Sequence, residues 1–522
     1  MPVPSPQPLV PAAGRLLQAH DVQDAPRLTA DVVVVGSGAG GAMLARDVAR
    51  SGLQVIVLEQ GRDPSRHGFT QREGDMLPLL FQASGGQTTV DGAVQILSGR
   101  GLGGSTLHNT NLCKRAPAEV LDRWATELGA DGWSAADLAP DYAAVEHDLS
   151  VSPMGEADVN AHNALFRRGV TALGWRGALL HHNRVGCVRS GFCELGCAYN
   201  AKQNAHKVLL PQAMAAGATL ICDVRATAIL TSHGRRVLGV RAQVHSPSGR
   251  SGPTIDIQAR AVCLCASAIG SATLLRASDI PDPHRVAGRS LRLHPAIAVA
   301  GIFPEAIDAW HGIPQSYECT QLLSFAPGAR DRTWLIPAFA HPGAFAGLLP
   351  GFGTDHARAM RDYRHVAALA AMLHDETRGE VRPGRDGRPQ IRYRLTTADA
   401  DALWRGVRGA AEVLFAAGAG QVLVPLSTPL VARRMSDLDA LARHRYRPLD
   451  PLLTSTHPMG TLPMGRDPRR STVDPTGRHH TVRGLYVGDG SLFPTSIGGP
   501  PQLSIYAAGR RVARSVIADL RS

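Results

Sequence analysis

Three groups of residues in this 522-residue chain have types and spacings suited to chemistry. The first is a set of glycines. Gly36, Gly38 and Gly41 follow the run Val32–Val35 with G-x-G-x-x-G spacing, and Glu59 closes a second apolar run, LQVIVLE. In a strand–turn–helix setting the first glycine permits a sharp turn, the second lets the backbone approach a pyrophosphate, and the third lets helix and strand pack closely. The helix N-terminus then faces the phosphates, and Glu59 stands where a carboxylate binds ribose hydroxyls. The second group is ILSGRGLGGSTLHNTNLCKRAP, residues 96–117, where Gly99, Gly101, Gly103 and Gly104 precede Ser105 and Thr106. Such a loop can lie flat against an extended ligand, which a bare nicotinamide protein does not need. The third is CVRSGFCELGC, which spaces Cys187, Cys193 and Cys197 as C-x5-C-x3-C. Three thiolates can hold zinc or part of an iron–sulfur cluster, but a closed site usually has four ligands. These cysteines read as structural thiols, with a metal or a disulfide as the alternatives.

The elements that must position these groups follow from size and composition. A chain this long exceeds one hydrophobic core and is expected to form two joined domains. Apolar residues make up 44% and aromatics only 5%, so the core is aliphatic. No apolar run approaches the ~20 residues of a transmembrane span, and the Pro-rich start MPVPSPQPLVPAAGRLLQAH lacks a signal peptide's basic and apolar regions. A leader over 1–24 and a cytoplasmic location are the expectations. The formal charge of +11 is almost wholly arginine, since Lys114, Lys202 and Lys207 are the only lysines. It is scattered rather than clustered, which suits anionic cofactor phosphates and gives no footprint for nucleic acid. The remaining cysteines, such as Cys263 and Cys265, read as small buried hydrophobes.

Four ordered stretches resemble the glucose–methanol–choline (GMC) flavin oxidoreductases: the glycine loop at 96–117, AVCLCASAIGSATLLRASDI, STHPMGTLPMG, and VDPTGRHHTVRGLYVGDGSLFPTS. Within that family, SGFCELGCAYNAKQNA and LRLHPAIAVAGIFPEAIDAWHGIPQS resemble bacterial enzymes related to long-chain alcohol oxidases. The resemblance implies an α/β protein (α+β overall). It has a Rossmann-type FAD-binding domain with a β-meander, and a substrate domain with an antiparallel sheet and helices. The FAD domain would collect 25–150, 200–285 and 455–522, and the substrate domain 151–199 and 286–454. Segments 219–224, 226–231 and 237–243 fit the meander. Residues 397–419 fit a substrate-domain helix with Thr397 as N-cap. The cofactor implied is FAD, held by Gly36, Gly38, Gly41, Glu59, Arg100, Gly104, Ser105, Asn109, Asp489 and Gly490, with Val224 near the adenine. Ser190 stands where related sequences often carry a fourth cysteine, which counts against a metal there.

The resemblance gives His457 the role of base, taking the hydroxyl proton while the flavin accepts a hydride. His294 and Gln502 are candidates for the substrate pocket, His108 packs in the glycine loop, and His479 and His480 read as solvated turn residues. The expected partners are a hydrophobic or amphipathic small molecule and an electron acceptor, oxygen or another. One departure stands out. The family's Asn or His beside the catalytic histidine is replaced by Pro500, which has no side-chain donor and no N–H, while Pro501 opens the last helix. Two outcomes are open: ordinary oxidation by His457 with help from Gln502, His294 or water, or altered chemistry such as desaturation or a redox-neutral lyase reaction. A flavin-binding protein without turnover is a third reading.

Overall fold

A computed structural model describes residues 14–22, 27–66, 68–245, 251–338, 340–349 and 351–522. The first 13 residues of the proposed leader lie outside them. Two sheets organise the molecule. In the first, the strands Leu16–Leu17, Thr219–Ile221, Val55–Leu58, Arg27–Val35 and Ser251–Leu264 lie side by side and parallel, and Leu485–Val487 joins the far end of Ser251–Leu264. Val32, Val33 and Val34 are fully buried, as central parallel strands covered on both faces require. The helices Ala39–Arg50 and Gln502–Arg521 pack against each other beside it.

The antiparallel extension of this sheet corrects the expected meander. Thr219–Ile221 is not its first strand but a parallel member of the core sheet, paired with Val55–Leu58. The extension is built from Val224–Ser232, Arg236–His245 and the front of Ser251–Leu264. The register switches at Asp223, whose φ of +59° turns the chain. Leu16–Leu17, inside the expected leader, pairs with Leu220 and Ile221.

The second sheet is antiparallel, in the order Leu430–Ala432, Gln421–Val424, Ala296–Ile302, Val366–Leu373, Thr333–Ala338, Tyr317–Cys319, Gly177–Leu179. Leu453–Ser455 adds to Ala296 and pairs in parallel with Val94–Ile96, so the chain entering the second glycine loop and the histidine segment is tied to this sheet. The helix Thr397–Ala416 covers it. Its N-cap is Thr396, whose side chain accepts the Asp399 N–H at 3.2 Å, rather than Thr397. Among the described residues no helix is long and apolar enough to cross a membrane.

Asp399 anchors the strand ends that lead to the site. It is fully buried and pairs with the buried Arg332 at 2.7 Å, and it accepts the N–H groups of Glu376 and Thr377 at 3.0 and 2.7 Å. Removing one partner of a buried pair strands the other charge. Asp399→Ala is expected to destabilise the protein by about 3–5 kcal/mol, read as a large fall in melting temperature; a fall no larger than that of an exposed Asp→Ala control such as Asp355→Ala would refute this.

Candidate active site

The glycine turn Gly36–Gly41 sits where three strand ends converge. A Cβ at Gly36, which has φ +102°, would lie 2.3 Å from the Cys265 carbonyl oxygen. At Gly40 it would lie 2.0 Å from the Gly488 oxygen, and at Gly41 1.9 Å from that of Gly36. The second loop closes on the first: a Cβ at Gly104 would lie 2.9 Å from the Gly38 Cα. Two backbones meeting without side chains form the surface that an extended phosphate-bearing cofactor needs.

Glu59 holds the two loops together. It is 5% exposed, and one carboxylate oxygen accepts the Ser37 hydroxyl at 2.6 Å and the Ser37 N–H at 3.3 Å. The other accepts the N–H groups of Gly61 and Gly101 at 2.8 and 3.3 Å. Ser37 Oγ in turn accepts the Gly103 N–H at 3.0 Å. Burial raises the carboxyl's pKa and these donors oppose the rise. Val224 is buried beside it, its N–H donating to the Glu59 carbonyl at 3.0 Å. The Arg100 stem lies against Gly61, and Ser105 Oγ accepts the Gly99 N–H at 2.8 Å.

At the end of Leu485–Val487, the Asp489 carboxylate faces the protein, accepting the Ser271 hydroxyl at 2.7 Å and the Ser491 N–H at 2.9 Å. It therefore shapes the turn at Gly490 from behind. Gly490 in turn accepts the Gly460 N–H at 3.0 Å, and Ser491 accepts the Leu462 N–H at 2.8 Å. These bonds fix the histidine segment to the nucleotide sheet. Arg292 and Met459 exchange backbone hydrogen bonds at 2.9 and 3.0 Å, which brings His294 to His457.

The two imidazoles meet Nδ1 to Nδ1 at 3.4 Å, with ring planes nearly perpendicular. His294 is 1% exposed and has φ +49°, a left-handed conformation costly for a non-glycine residue. Asp375 holds it there by accepting the N–H groups of Leu293 and His294 at 3.0 and 3.3 Å, itself fixed by the Tyr393 hydroxyl at 2.6 Å. On its other side His294 Nε2 accepts the Gly498 N–H at 3.2 Å. Burial pushes the His294 pKa down to about 3. Burial and then the neighbouring His294 hold His457 well below the ordinary histidine value. Both are neutral near pH 7.

Other expected residues fall differently. Asn109 and Gln502 bond to each other, the Asn109 amide donating to Gln502 Oε1 at 2.7 Å, while Gln502 donates to the Leu112 carbonyl at 2.6 Å. Gln502 is thereby committed to the protein, and so is the side chain expected to contact the flavin. His108 is buried against Phe81, ring centroids 4.0 Å apart, with Nε2 unpartnered. His479 is buried, not solvated: its Nδ1 accepts the Val482 N–H at 3.2 Å, and His480 bonds Ser471 at 2.8 Å. Pro501 is the N-cap of the last helix rather than its first residue, and Pro500 is half-buried after Gly499, which faces the Lys114 stem. Sequence reasoning missed Ser37, Asp375 and the Gly498 amide, because each acts through contacts distant in sequence. Lys202 carried a signal in being one of three lysines.

Residues 77–296 match the N-terminal GMC oxidoreductase family model, 375–509 the C-terminal one, and 34–101 the NAD(P)-binding Rossmann-like domain. An uncharacterized GMC-type oxidoreductase of Mycobacterium tuberculosis is 35% identical over 500 residues, 95% of this chain and 77% of the relative. The chain is a GMC oxidoreductase. It is also 27% identical to the long-chain-alcohol oxidase FAO4B of Arabidopsis thaliana, over 95% of this chain and 68% of that one. The likeness to long-chain-alcohol oxidases thus holds with plant proteins rather than bacterial ones. Two solved structures share the fold. One is a pyridoxine 4-oxidase (TM-score 0.69, 17% identity, 93% and 98% of the chains covered). The other is the formate oxidase of Aspergillus oryzae (0.70, 15%, 94% and 98%).

FAD is the cofactor of this family and of these flavoenzyme neighbours. The fused glycine cradle fits its pyrophosphate, and Glu59, each of whose carboxylate oxygens accepts two protein donors, holds the two loops that form the cradle. In Glu59→Gln one pair of backbone or hydroxyl donors would meet an NH2 group instead of an oxygen. The variant should hold FAD about tenfold or more less tightly, seen as a lowered flavin-to-protein absorbance ratio after gel filtration; full retention would contradict the role.

Proposed function

We propose that this GMC oxidoreductase oxidises a hydroxyl-bearing carbon of a hydrophobic or natural-product small molecule, with His457 controlling the hydroxyl proton. The observation that carries the reading is the pair of the buried His294 and the half-buried His457 beside the turn that opens the last helix. FAD, when bound, supplies the hydride acceptor. The chain supplies proton control, and its direction follows from one fixed donor. A backbone N–H can only donate, so a neutral His294 that accepts from Gly498 keeps its proton on Nδ1. That proton is directed at Nδ1 of His457, and a neutral His457 then carries its own on Nε2.

In that arrangement His457 offers a donor to a substrate oxygen. Taking a hydroxyl proton at Nε2 requires the opposite tautomers, which set a His294 N–H against the Gly498 N–H. Giving up that bond and facing two donors costs about 1–3 kcal/mol, roughly ten- to a hundredfold in rate. Alcohol oxidation by His457 as base is then feasible but slowed, and Pro500 supplies no compensating donor. The same proton direction favours a second reading. In it the scaffold works on a substrate whose oxygen needs no deprotonation, by dehydrogenation or by a redox-neutral lyase reaction. The electron acceptor in the oxidative reading is oxygen or another oxidant.

Anaerobic mixing of the flavin-loaded protein with a panel of alcohols, sterols, amines and carboxylates tests the reading. A substrate should bleach the flavin, and His457→Ala should slow bleaching by about 10²–10⁴ with flavin content unchanged. Bleaching by no compound would favour a flavin-binding protein without turnover, and bleaching undiminished in the variant would remove His457 from the chemistry. The depressed pKa of His457 has a sign. A group active when neutral loses activity only as pH falls through its folded-state pKa. The bleaching rate should therefore stay constant from neutrality down past about 6.5, the ordinary histidine value; an acid limb at or above that value would be the contrary result.

A further inference from the structure

The cysteine loop remains unexplained by the flavin chemistry. Cys187, Cys193 and Cys197 line one cavity together with Ser190, Arg184 and Lys202. They differ from Cys222 and Cys263, which are fully buried in the core as small hydrophobes; these three are half-exposed, and none of the eight is in a disulfide. Counting Ser190, the positions run C-x2-S-x2-C-x3-C. That is the spacing of the bacterial ferredoxin run with serine at its second place. In two-cluster ferredoxins the last cysteine of such a run serves another cluster, so spacing alone does not gather four ligands. Here the fold brings all four positions to the lining of one cavity.

The surroundings match what an anionic iron–sulfur core needs. Cys187 Sγ accepts the Arg189 N–H at 3.4 Å, and Cys197 Sγ accepts the Ala201 N–H at 3.2 Å. Positive φ at Gly186, Arg189, Gly191, Gly196 and Asn200 turns the loop back on itself repeatedly, the backbone pattern whose converging N–H groups form anion and iron–sulfur nests. The Arg184 side chain is 10% exposed; one nitrogen pairs with Asp158 at 3.1 Å while Nη1 is buried with no partner. Lys202 is 2% exposed, and its ammonium donates to the carbonyls of Cys193 at 2.9 Å, Leu107 at 3.0 Å and Asn109 at 2.5 Å. Two cations thus border three thiols, and one of them bridges directly to the glycine loop of the flavin cradle. Among the described residues no three His, Cys, Asp or Glu side chains converge closely enough for a single metal ion. A cluster differs in spreading its thiolates around a multi-atom core.

We propose that Cys187, Cys193 and Cys197 bind an iron–sulfur cluster, with the Ser190 hydroxyl at the fourth corner, in a site joined to the flavin loop through Lys202.

The test uses the full chain with FAD bound, purified anaerobically and reconstituted with ferrous iron and sulfide. Near-stoichiometric iron and acid-labile sulfide, with an electron paramagnetic resonance signal that changes on dithionite reduction, is the expected result. Cys193→Ala and Cys197→Ala should each lose iron about tenfold or more, the scale on which altering even a supporting residue weakens a metal site, while keeping FAD. Ser190→Cys, which completes the thiolate run, should retain iron longer in air than the parent. Absence of iron and sulfide from both the parent and Ser190→Cys would overturn the proposal, as would stoichiometric zinc without sulfide.

Discussion

The structure depends on backbones that touch without side chains between them. The Gly40 Cα hydrogen faces the Gly488 carbonyl, and Gly509 of the last helix meets Gly40, where a Cβ would lie 2.4 Å from its oxygen. The helix Ala39–Arg50, the last helix and the ends of three parallel strands therefore share one close-packed point. Any larger residue there would push the last helix off the sheet. Because the turn at 496–501 leads into that helix, the placement of the Gly498 amide follows from the same contact. The glycine cradle and the turn that reaches the His294–His457 pair thus adjoin one packing contact.

From that amide outward, the chemistry is a question of direction. Most histidines choose their tautomer by a balance of weak partners. His294 has a partner that cannot reverse, and it is held by Asp375 in a strained left-handed conformation. Strain of this kind persists only where surrounding contacts over-determine it. Here the contacts are Asp375 with Tyr393 and, further out, Asp399 with Arg332. The second sheet thereby sets the proton of a residue that belongs to the segment fixed against the first. Pro500 sharpens the consequence, since a proline two residues after Gly498 in the same turn brings no side-chain or backbone donor.

Much of the nucleotide cradle was legible in the sequence because its determinants are local. Gly36, Gly38, Gly41 and Glu59 lie within one strand–turn–helix–strand unit, and periodicity with glycine spacing places them directly. The segment at 219–221 was misread because a short apolar run looks the same at a parallel centre and at a meander edge; only its partner decides. Asn109 and Gln502 carry the right functional groups, but 393 positions separate them. Nothing in either local pattern announces that they satisfy each other. His479 looked solvated because it lies in a polar turn, yet that turn folds onto the sheet and buries it. Thr396 and Thr397 are equivalent in sequence, and the cap went to the one whose side chain reaches Asp399. His294 was visible as a candidate; its control over His457 was not, because it rests on a backbone amide 204 residues away.

The central claim is that the Gly498 amide sets the proton of His457 through His294. Nitrogen NMR of histidine-labelled, flavin-loaded protein at neutral pH tests it directly, with His457→Gln used to assign the resonances. The account predicts that His457 carries its proton on Nε2 and leaves Nδ1 bare. A proton on Nδ1, with Nε2 free to accept, would contradict it and return His457 to the role of an unhindered base.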